Sequence, residues 1–233
     1  MKPRKTGYDE LERRVLRAFV KFVRAVAIAA ALILLAWSIA IPNFPCHGIN
    51  ANESAAIATL KNIHSAQVLF RDRFAVDRDA DAKGEFGWLD ELAGAATLRG
   101  GPAERRLDPP VLSRAFGEVQ LGNVKRSGYL FCMWLPAVGG GWARECDGVP
   151  IDTDAAETQF CIYAWPTTEA DRSKRVFFLG AAGDVFASRN TPDYRGTERP
   201  APIDAALPSS DASSERGDWG HVGRDGDRWV IIL

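Results

Sequence analysis

An uncharged apolar run followed by a proline break constrains this chain more than any other feature of its sequence. No residue is charged between Ala25 and Ile41, and Pro42 follows directly. As a helix, the run would extend roughly 26 Å at about 1.5 Å per residue, and apolar residues of the segment 19–23 lengthen it. A bilayer core is about 30 Å thick, so the run predicts a transmembrane helix. The residues assigned to that helix are Ala25, Leu32, Leu35, Trp37 and Ile41.

The charges that flank the run predict its orientation. Residues 1–24 carry many more basic than acidic side chains. Basic residues favour the cytoplasmic side of a membrane helix, so we expect a cytoplasmic N-terminus and an extracytoplasmic chain after Pro42. A cleaved secretory signal, with Ser38–Ala40 as its small-residue site, is the alternative interpretation. A formal net charge of −1 over 233 residues disfavours a nucleic-acid partner, which would need a basic face.

Cysteine usage agrees with that orientation, because every cysteine follows the apolar run. An even number of cysteines outside the cytoplasm predicts two disulfides, and three pairings are possible. Zinc is disfavoured, since the chain contains no C-x-x-C pair, and we expect no cofactor. The disulfide candidates are Cys46, Cys132, Cys146 and Cys161.

After the break, the chain predicts an amphipathic helix. Asn52 is a suitable N-cap, with Glu53 in the first turn. Large or small apolar residues then recur at spacings of three and four, which indicates one face of a helix. Such a face needs a sheet or a second helix to cover it. The predicted spine comprises Ala56, Leu60, Ile63, Gln67, Phe70 and Phe74.

The second half of the chain predicts strands. Short aromatic segments and the hairpin signal Gly180–Gly183 favour an antiparallel sheet over βαβ units. Residues 189–218 are rich in Pro, Ser, Ala, Asp and Arg, and we expect a solvated excursion there. The predicted strands are Ser127–Leu135, Gln159–Trp165, Arg175–Leu179, Asp184–Ala187 and the C-terminal Arg228–Leu233. The predicted organisation is a basic segment 1–24, a transmembrane helix 25–42, an α+β domain 43–188, the excursion 189–218 and a strand segment 219–233.

The helix region resembles that of type IV pilins and type II secretion pseudopilins. In that family an apolar helix ends near Ala-Ile-Pro-Asn and continues into an amphipathic half. The later segments "SGYLFCMWL" and "RVFFLGAAGDVFAS" resemble strands of the same family more loosely. The matching positions are Ala40–Asn43, Ala51–Ala56, Leu60, Ile63, Ala66 and Gln67. The resemblance implies an α+β fold: a long N-terminal membrane-spanning helix continues into an amphipathic spine packed on an antiparallel sheet.

The resemblance also implies a function. It implies a non-enzymatic subunit or accessory of a bacterial type IV pilus or type II secretion-type machine, single-pass in the inner membrane. Its partners would be the lipid bilayer, other pilin-like subunits and pilus or secretion assembly proteins. The chain departs from the family because Val20 and Ala25 occupy the positions of its cleavage-site glycine and its glutamate. Gly7–Glu12 imitates the cleavage motif. A membrane-anchored periplasmic binding module that does not polymerise is therefore the alternative.

Catalytic and metal motifs are weak in this sequence. Neither His64 with Ser65 nor His221 with nearby acids follows a nucleophile-elbow or phosphate-loop pattern, so we expect no enzyme. The segment before the second predicted strand is rich in carboxylates, which suit calcium, although a solvated loop is the simpler interpretation. Its acids are Asp147, Asp152, Asp154 and Glu157.

Overall fold

A computed structural model describes residues 14–24, 26–28, 30, 46–102, 104–168, 175–209 and 220–232, with only the backbone described for 46–50. The chain divides into two compact units, Met1–Gly48 and Ile49–Leu233. In the first unit, residues 14–24 form a helix with exposed side chains. The second unit contains the sheet and its covering segments.

The predicted membrane anchor is contradicted. Across the described ranges, no helix is both long enough and apolar enough to cross a bilayer. The long described helix carries polar and charged side chains such as Glu53 and Lys61, whereas a spanning helix needs about 20 predominantly apolar residues. The predicted fold class, with its membrane-spanning helix, and the predicted single-pass inner-membrane localisation are therefore wrong. The five residues assigned to that helix, Ala25, Leu32, Leu35, Trp37 and Ile41, lie outside the described residues, as does the Gly7–Glu12 motif.

Among the residues that the structure describes after position 45, three α-helices and a 3₁₀ helix accompany eight strands. The helices are α1 (Cys46–Asp72), α2 (Leu89–Leu92), the 3₁₀ helix (Arg114–Gly117) and α3 (Thr153–Ala156). The strands are β1 (Asn123–Arg126), β2 (Tyr129–Pro136), β3 (Trp142–Arg144), β4 (Cys161–Pro166), β5 (Val176–Gly180), β6 (Val185–Ser188), β7 (Gly220–Val222) and β8 (Arg228–Ile231). All pairings between them are antiparallel, in the order β1-β2-β4-β5-β6-β8-β7, with β3 also paired to β2.

Helix α1 begins at Cys46, earlier than the predicted cap at Asn52. The helix ends at Asp72. Two residues later Phe74 adopts a φ of 50°, and its N–H donates to the carbonyl of Arg71 at 2.9 Å. Gly84 packs on this end so closely that a Cβ there would lie 1.9 Å from the Arg71 carbonyl oxygen.

The predicted spine of α1 faces one side of the sheet. Ala56, Leu60, Ile63, Gln67 and Phe70 are buried, whereas Phe74 is 50% exposed because it follows the end of the helix. The apolar members join one hydrophobic cluster with inward-facing sheet residues, among them Phe131, Ile162 and Leu179. Alternate residues of the same strands therefore face the opposite side of the sheet.

That opposite side is covered by part of the predicted excursion. Tyr194, Ala201, Ala205 and Ala206 are buried against strand residues such as Trp165. The N–H of Gly196 also donates to the carbonyl of Pro166 in β4 at 2.9 Å. Residues 189–209 therefore cover this side of the sheet, where a solvated excursion was expected. Residues 210–219 lie outside the described part of the chain.

Candidate interaction surfaces

The side of α1 opposite the sheet has no charged residue along most of its length. Its exposed residues recur every three or four positions and are mostly small. We call them the outer stripe: Ala51, Ser54, Ala58, Asn62, Ser65 and Leu69. Leu69 is 43% exposed. A helix face in water normally carries charged side chains, so the outer stripe differs from an ordinary solvated face.

The charged side chains of this part of α1 lie towards the sheet instead. Glu53 is 6% exposed and pairs with Arg175, whose guanidinium nitrogen lies 2.7 Å from the carboxylate. Lys61 donates from Nζ to the carbonyl of Gly183 at 2.9 Å. Between Ala51 and Leu69 these are the only acidic or basic residues apart from His64. The charges that would otherwise solvate the helix are therefore bound to the domain.

The turn between β5 and β6 packs against the flank of α1. The ring Nε2 of His64 lies 3.2 Å from the carbonyl oxygen of Ala181. Gly183 has a φ of +88°, and a Cβ there would lie 2.9 Å from the His64 ring, so a larger residue would strain this contact. Ser65 belongs to the exposed outer stripe, while His64 bonds the turn. The two side chains that could form a catalytic pair on paper thus face different surroundings.

A second surface is a cleft beside β1, the last strand at one edge of the sheet. We call it the β1 groove; it has a volume of about 910 Å³ and an opening to solvent. Arg126 stacks its guanidinium over Phe116 at 4.8 Å from the ring centroid. The groove carries both signs of charge, which suits a polar partner. Its charged lining residues are Glu118, Lys125, Arg126, Arg195 and Glu198.

His221 and Asp225 have structural partners. His221 Nε2 makes a short contact with the carbonyl oxygen of Ala206. Asp225 accepts hydrogen bonds from Trp229 Nε1 and from the hydroxyl of Tyr194, each at 3.2 Å. Asp218, another acid near this histidine in the sequence, lies outside the described residues. These contacts fix the covering layer to β8.

A buried network of acids and arginines fixes the segment that leads from α1 to β1. Glu85 is fully buried and pairs with Arg78 at 3.1 Å and with Arg99 at 3.7 Å. Glu91 pairs with Arg99 at 3.1 Å and accepts a bond from the Trp88 N–H at the start of α2. Burial raises the pKa of Glu91, and the charge of Arg99 opposes that rise. Sequence periodicity does not reveal this network, because all its members except Glu91 come from loops and Glu91 lies in a helix of only four residues.

Glu145 is the acid whose pKa the fold raises most clearly. Burial, and then the neighbouring carboxyl of Asp90, raise the pKa of Glu145 to about 9. The fold therefore favours the protonated form of the Glu145 side chain. Shifts of this kind mark catalytic sites when the group lines a cleft. Neither acid lines the β1 groove, so we interpret the pair as a pH-sensitive structural contact.

Three of the four cysteines are free thiols in the structure. Cys132 and Cys161 are buried and Cys146 is exposed, while the side chain of Cys46 lies outside the description. Cys132 lies opposite Tyr163 on β4, so Cys161 is its diagonal neighbour. Diagonal neighbours are about 7–8 Å apart, too far for a disulfide, which needs Cα atoms within about 6.8 Å. Burial raises the pKa of Cys132 to about 12, which makes it an unreactive thiol.

The four acids of the carboxylate-rich segment before β4 divide into two sets. Asp147 accepts a bond from the Arg144 N–H at 2.9 Å and pairs with its side chain at 3.0 Å. Asp152 caps α3 by accepting from the N–H of Ala155 at 3.0 Å. Asp154 and Glu157 instead lie beside acids of the loop that follows α1.

No protein-family model, curated protein or solved structure matches this chain. The geometry of the outer stripe and of the β1 groove is therefore the basis for a functional proposal.

Proposed function

We propose that this chain is a non-enzymatic assembly subunit that docks through the outer stripe of α1. Its partner is a helix of a pilin-like subunit or of an assembly protein in a bacterial type IV pilus or type II secretion-type machine. The observation that supports this proposal best is the uncharged, small-residue face of α1 combined with inward-directed charges at Glu53 and Lys61.

Small side chains on an exposed helix suit helix-on-helix packing. Axes of packed helices lie about 8–10 Å apart, and the side chains at the contact set the distance. Ala58 lies near the middle of the outer stripe, where a partner helix can approach closely. Leu69 adds an apolar anchor near one end. Removing a charge from water commonly offsets the gain from association. Docking on this face would desolvate no permanent charge.

The resemblance to pilins and pseudopilins supports the class of partner. It covers roughly Ala25 to Ser188 and is strong as far as Phe70, so its strong part includes the segment that carries the buried spine and the outer stripe. In that family this helix is the spine of the subunit and faces its neighbours in the assembly. The same division of faces is what the proposal requires of α1.

Charge insertion into the outer stripe tests the proposal. Ala58→Arg and Ser65→Arg alter exposed positions, so we expect folding stability to change by less than about 0.5 kcal/mol. We expect each variant to lose co-purification with the pilin-like or assembly protein that the parent retains. Val138→Arg is the matched control, because Val138 is 60% exposed in the turn after β2.

A photo-crosslinking amino acid at Ser65 identifies the partner directly. We expect mass spectrometry to find a crosslink to a pilin-like subunit, to a pilus or secretion assembly protein, or to a second copy of this chain. Crosslinks that are the same at Ser65 and at Val138, together with unchanged co-purification of Ala58→Arg, would exclude the outer stripe as a docking face.

The β1 groove supports a second candidate, a binding module that does not polymerise. The two-residue turn after β1 makes Arg126 and Tyr129 a hydrogen-bonded pair. The alternation of an antiparallel ladder then directs the backbone groups of Lys125 to the outer edge. An extended segment of mixed charge fits such an edge. Lys125→Glu should abolish partner binding if the groove is the site, whereas Ala58→Arg should leave it unchanged.

A further inference from the structure

Two segments distant in sequence contribute two groups of three carboxylates that share one residue, Asp79. One is the loop after α1, with Asp77, Asp79 and Asp81; the other is α3 and its end, with Asp154 and Glu157. The carboxylate oxygens of the three loop acids lie within 4.8 Å of one another. Those of Asp79, Asp154 and Glu157 also lie within 4.8 Å of one another. Asp79 belongs to both groups and links them.

The buried acid of this cluster has an oxygen without a partner. Glu157 is 7% exposed, and its Oε1 accepts no hydrogen bond. Its Oε2 lies 3.4 Å from Nζ of Lys83. Oδ1 of Asp77 is also buried without a hydrogen-bond partner. Buried polar atoms are nearly always satisfied, and an unpaired buried carboxylate oxygen is costly. The unpaired Oε1 of Glu157 is therefore available to coordinate a cation.

We propose that Asp79, Asp154 and Glu157 bind a divalent cation, that Asp77 and Asp81 lie beside it as further carboxylates of the loop, and that the cation is Ca²⁺. Calcium accepts six to eight oxygens at about 2.3–2.6 Å in adaptable geometry. Two oxygens on opposite sides of the ion are then about 5 Å apart, close to the spacing within each group. Mg²⁺ requires near-ideal octahedral geometry with shorter bonds, which carboxylates contributed by two separate segments fit less well. Soft metals are disfavoured because every ligand is a carboxylate.

The loop sequence agrees with this assignment. Asp77, Asp79 and Asp81 alternate along the chain, as the first ligands of calcium loops do. The later ligands come from α3 and Glu157 in place of a single continuous loop. The site would thereby join the end of α1 to the segment that enters β4.

The ammonium group of Lys83 competes with the cation for the carboxylates. Its Nζ lies 2.6 Å from Asp81 and 3.4 Å from Glu157, yet 65% of its side chain is exposed. Ion pairs of such exposed groups are weak, and one ammonium balances only one of five carboxylates. We therefore expect Ca²⁺ to displace Lys83 from the cluster.

Calorimetric titration of the chelator-treated full chain with CaCl₂, and separately with MgCl₂, tests the proposal. We expect saturable binding of one Ca²⁺ per chain and weaker binding of Mg²⁺. Asp79→Asn should weaken Ca²⁺ binding by about tenfold or more, because affinity depends on the charge of the ligands. Asp184→Asn is the matched control, since Asp184 is exposed and belongs to neither group.

Lys83→Gln gives a test that does not depend on tolerance of a lost ligand. Removal of the competing ammonium should tighten Ca²⁺ binding severalfold, whereas Glu157→Gln should weaken it. The expected order of affinity is Lys83→Gln, then the parent and Asp184→Asn, then the ligand variants. No saturable Ca²⁺ binding at millimolar concentration, or an affinity that Asp79→Asn and Lys83→Gln leave unchanged, would overturn the proposal.

Discussion

Gln67 is a polar residue within the buried stripe of α1, and its amide explains why. Its Nε2 donates to the carbonyl of Gly87 at 2.7 Å, and the Gly87 N–H donates to its Oε1 at 2.9 Å. Gln67 is fully buried. The side chain thus satisfies both backbone groups of Gly87, much as a neighbouring strand would. It fixes the segment before α2 to the helix.

Gln67→Met removes this pair of hydrogen bonds while keeping most of the side-chain volume. Both backbone groups of Gly87 then lose their partners in a buried position. An unsatisfied buried group costs about 1–3 kcal/mol, so two groups predict a loss of about 2–5 kcal/mol after partial relaxation. Gln159→Met is the control, because Gln159 is exposed and its replacement should cost less than about 0.5 kcal/mol.

Gln67→Glu adds a pH test with a definite sign. A carboxylate accepts from the Gly87 N–H but has no proton for the Gly87 carbonyl. The protonated form can donate that proton, so folding favours it and raises the pKa of the introduced group. Stability relative to the parent should therefore be greatest at acid pH and decrease as the pH rises towards neutral.

Urea unfolding followed by tryptophan fluorescence measures these effects, with the free energy of unfolding obtained by linear extrapolation. The slope against urea should stay near that of the parent, since the compact structure is retained. If Gln67→Met unfolds within about 0.5 kcal/mol of the parent, the Gly87 groups find other partners. The reciprocal amide pair would then contribute little to the stability of this fold.

Three further predictions concern the core, a buried acid and the thiols. Ile63→Ala should lower the free energy of unfolding by about 2–5 kcal/mol, because Ile63 is fully buried. Asp72→Ala, at an exposed position, should lower it by less than about 0.5 kcal/mol, and equal urea midpoints would contradict a core role for Ile63. Because burial raises the pKa of Glu145 to about 9, its contribution to stability should be lost as the pH rises from about 5 to 9. Glu145→Gln should flatten that decrease in melting temperature, and parallel profiles for parent and variant would count against it. Cys146 should react with Ellman's reagent in the folded protein and the buried cysteines of β2 and β4 only after unfolding; the Cys146→Ser variant should lose one equivalent of fast-reacting thiol, and rapid reaction of every thiol would refute the burial.

Local patterns predicted the parts of the fold that depend on local physics. The alternating spacing from Ala56 to Phe70 identifies the buried face of α1, because helix geometry repeats every 3.6 residues. Gly180–Gly183 joins β5 and β6 in an antiparallel pair, as its turn residues indicate. Spacing also places Gln67 on the buried face of α1. It does not reveal the hydrogen bonds between Gln67 and Gly87, because Gly87 lies in a loop without periodic spacing.

The covering layer shows why composition predicted residues 189–209 poorly. This segment has few large apolar side chains, and the expectation of a solvated segment rested on that low content. Much of its attachment comes from backbone groups: the carbonyl of Ile203 accepts from the Tyr163 hydroxyl, and the carbonyl of Gly196 accepts from Trp165 Nε1. Backbone acceptors are the same in every sequence, so their use in tertiary contacts is invisible before the fold is known.

The two proposed sites differ in the same respect. The exposed face of α1 is readable from helical spacing once the buried face is identified. The inward binding of Glu53 and Lys61 is not, because it depends on Arg175 and Gly183 from distant strands. The carboxylate cluster likewise requires Asp79 and Glu157 to meet across the fold. The membrane anchor rests on an apolar run and on its basic flank, and most of that run lies outside the described residues.

The contacts along α1 have a consequence for docking. Glu53 fixes the first part of the helix to Arg175, Lys61 fixes the middle to Gly183, and Gln67 fixes the last turns to Gly87. The polar anchors all lie away from the outer stripe, so they hold the helix without obstructing it. Binding to a surface that is already ordered avoids the entropy cost of fixing loops and side chains. Lys61→Met removes the middle anchor but leaves every residue of the outer stripe in place. We expect this variant to co-purify less of the partner than the parent does. If the exposed residues of the stripe alone determined binding, the amount of co-purified partner would be unchanged.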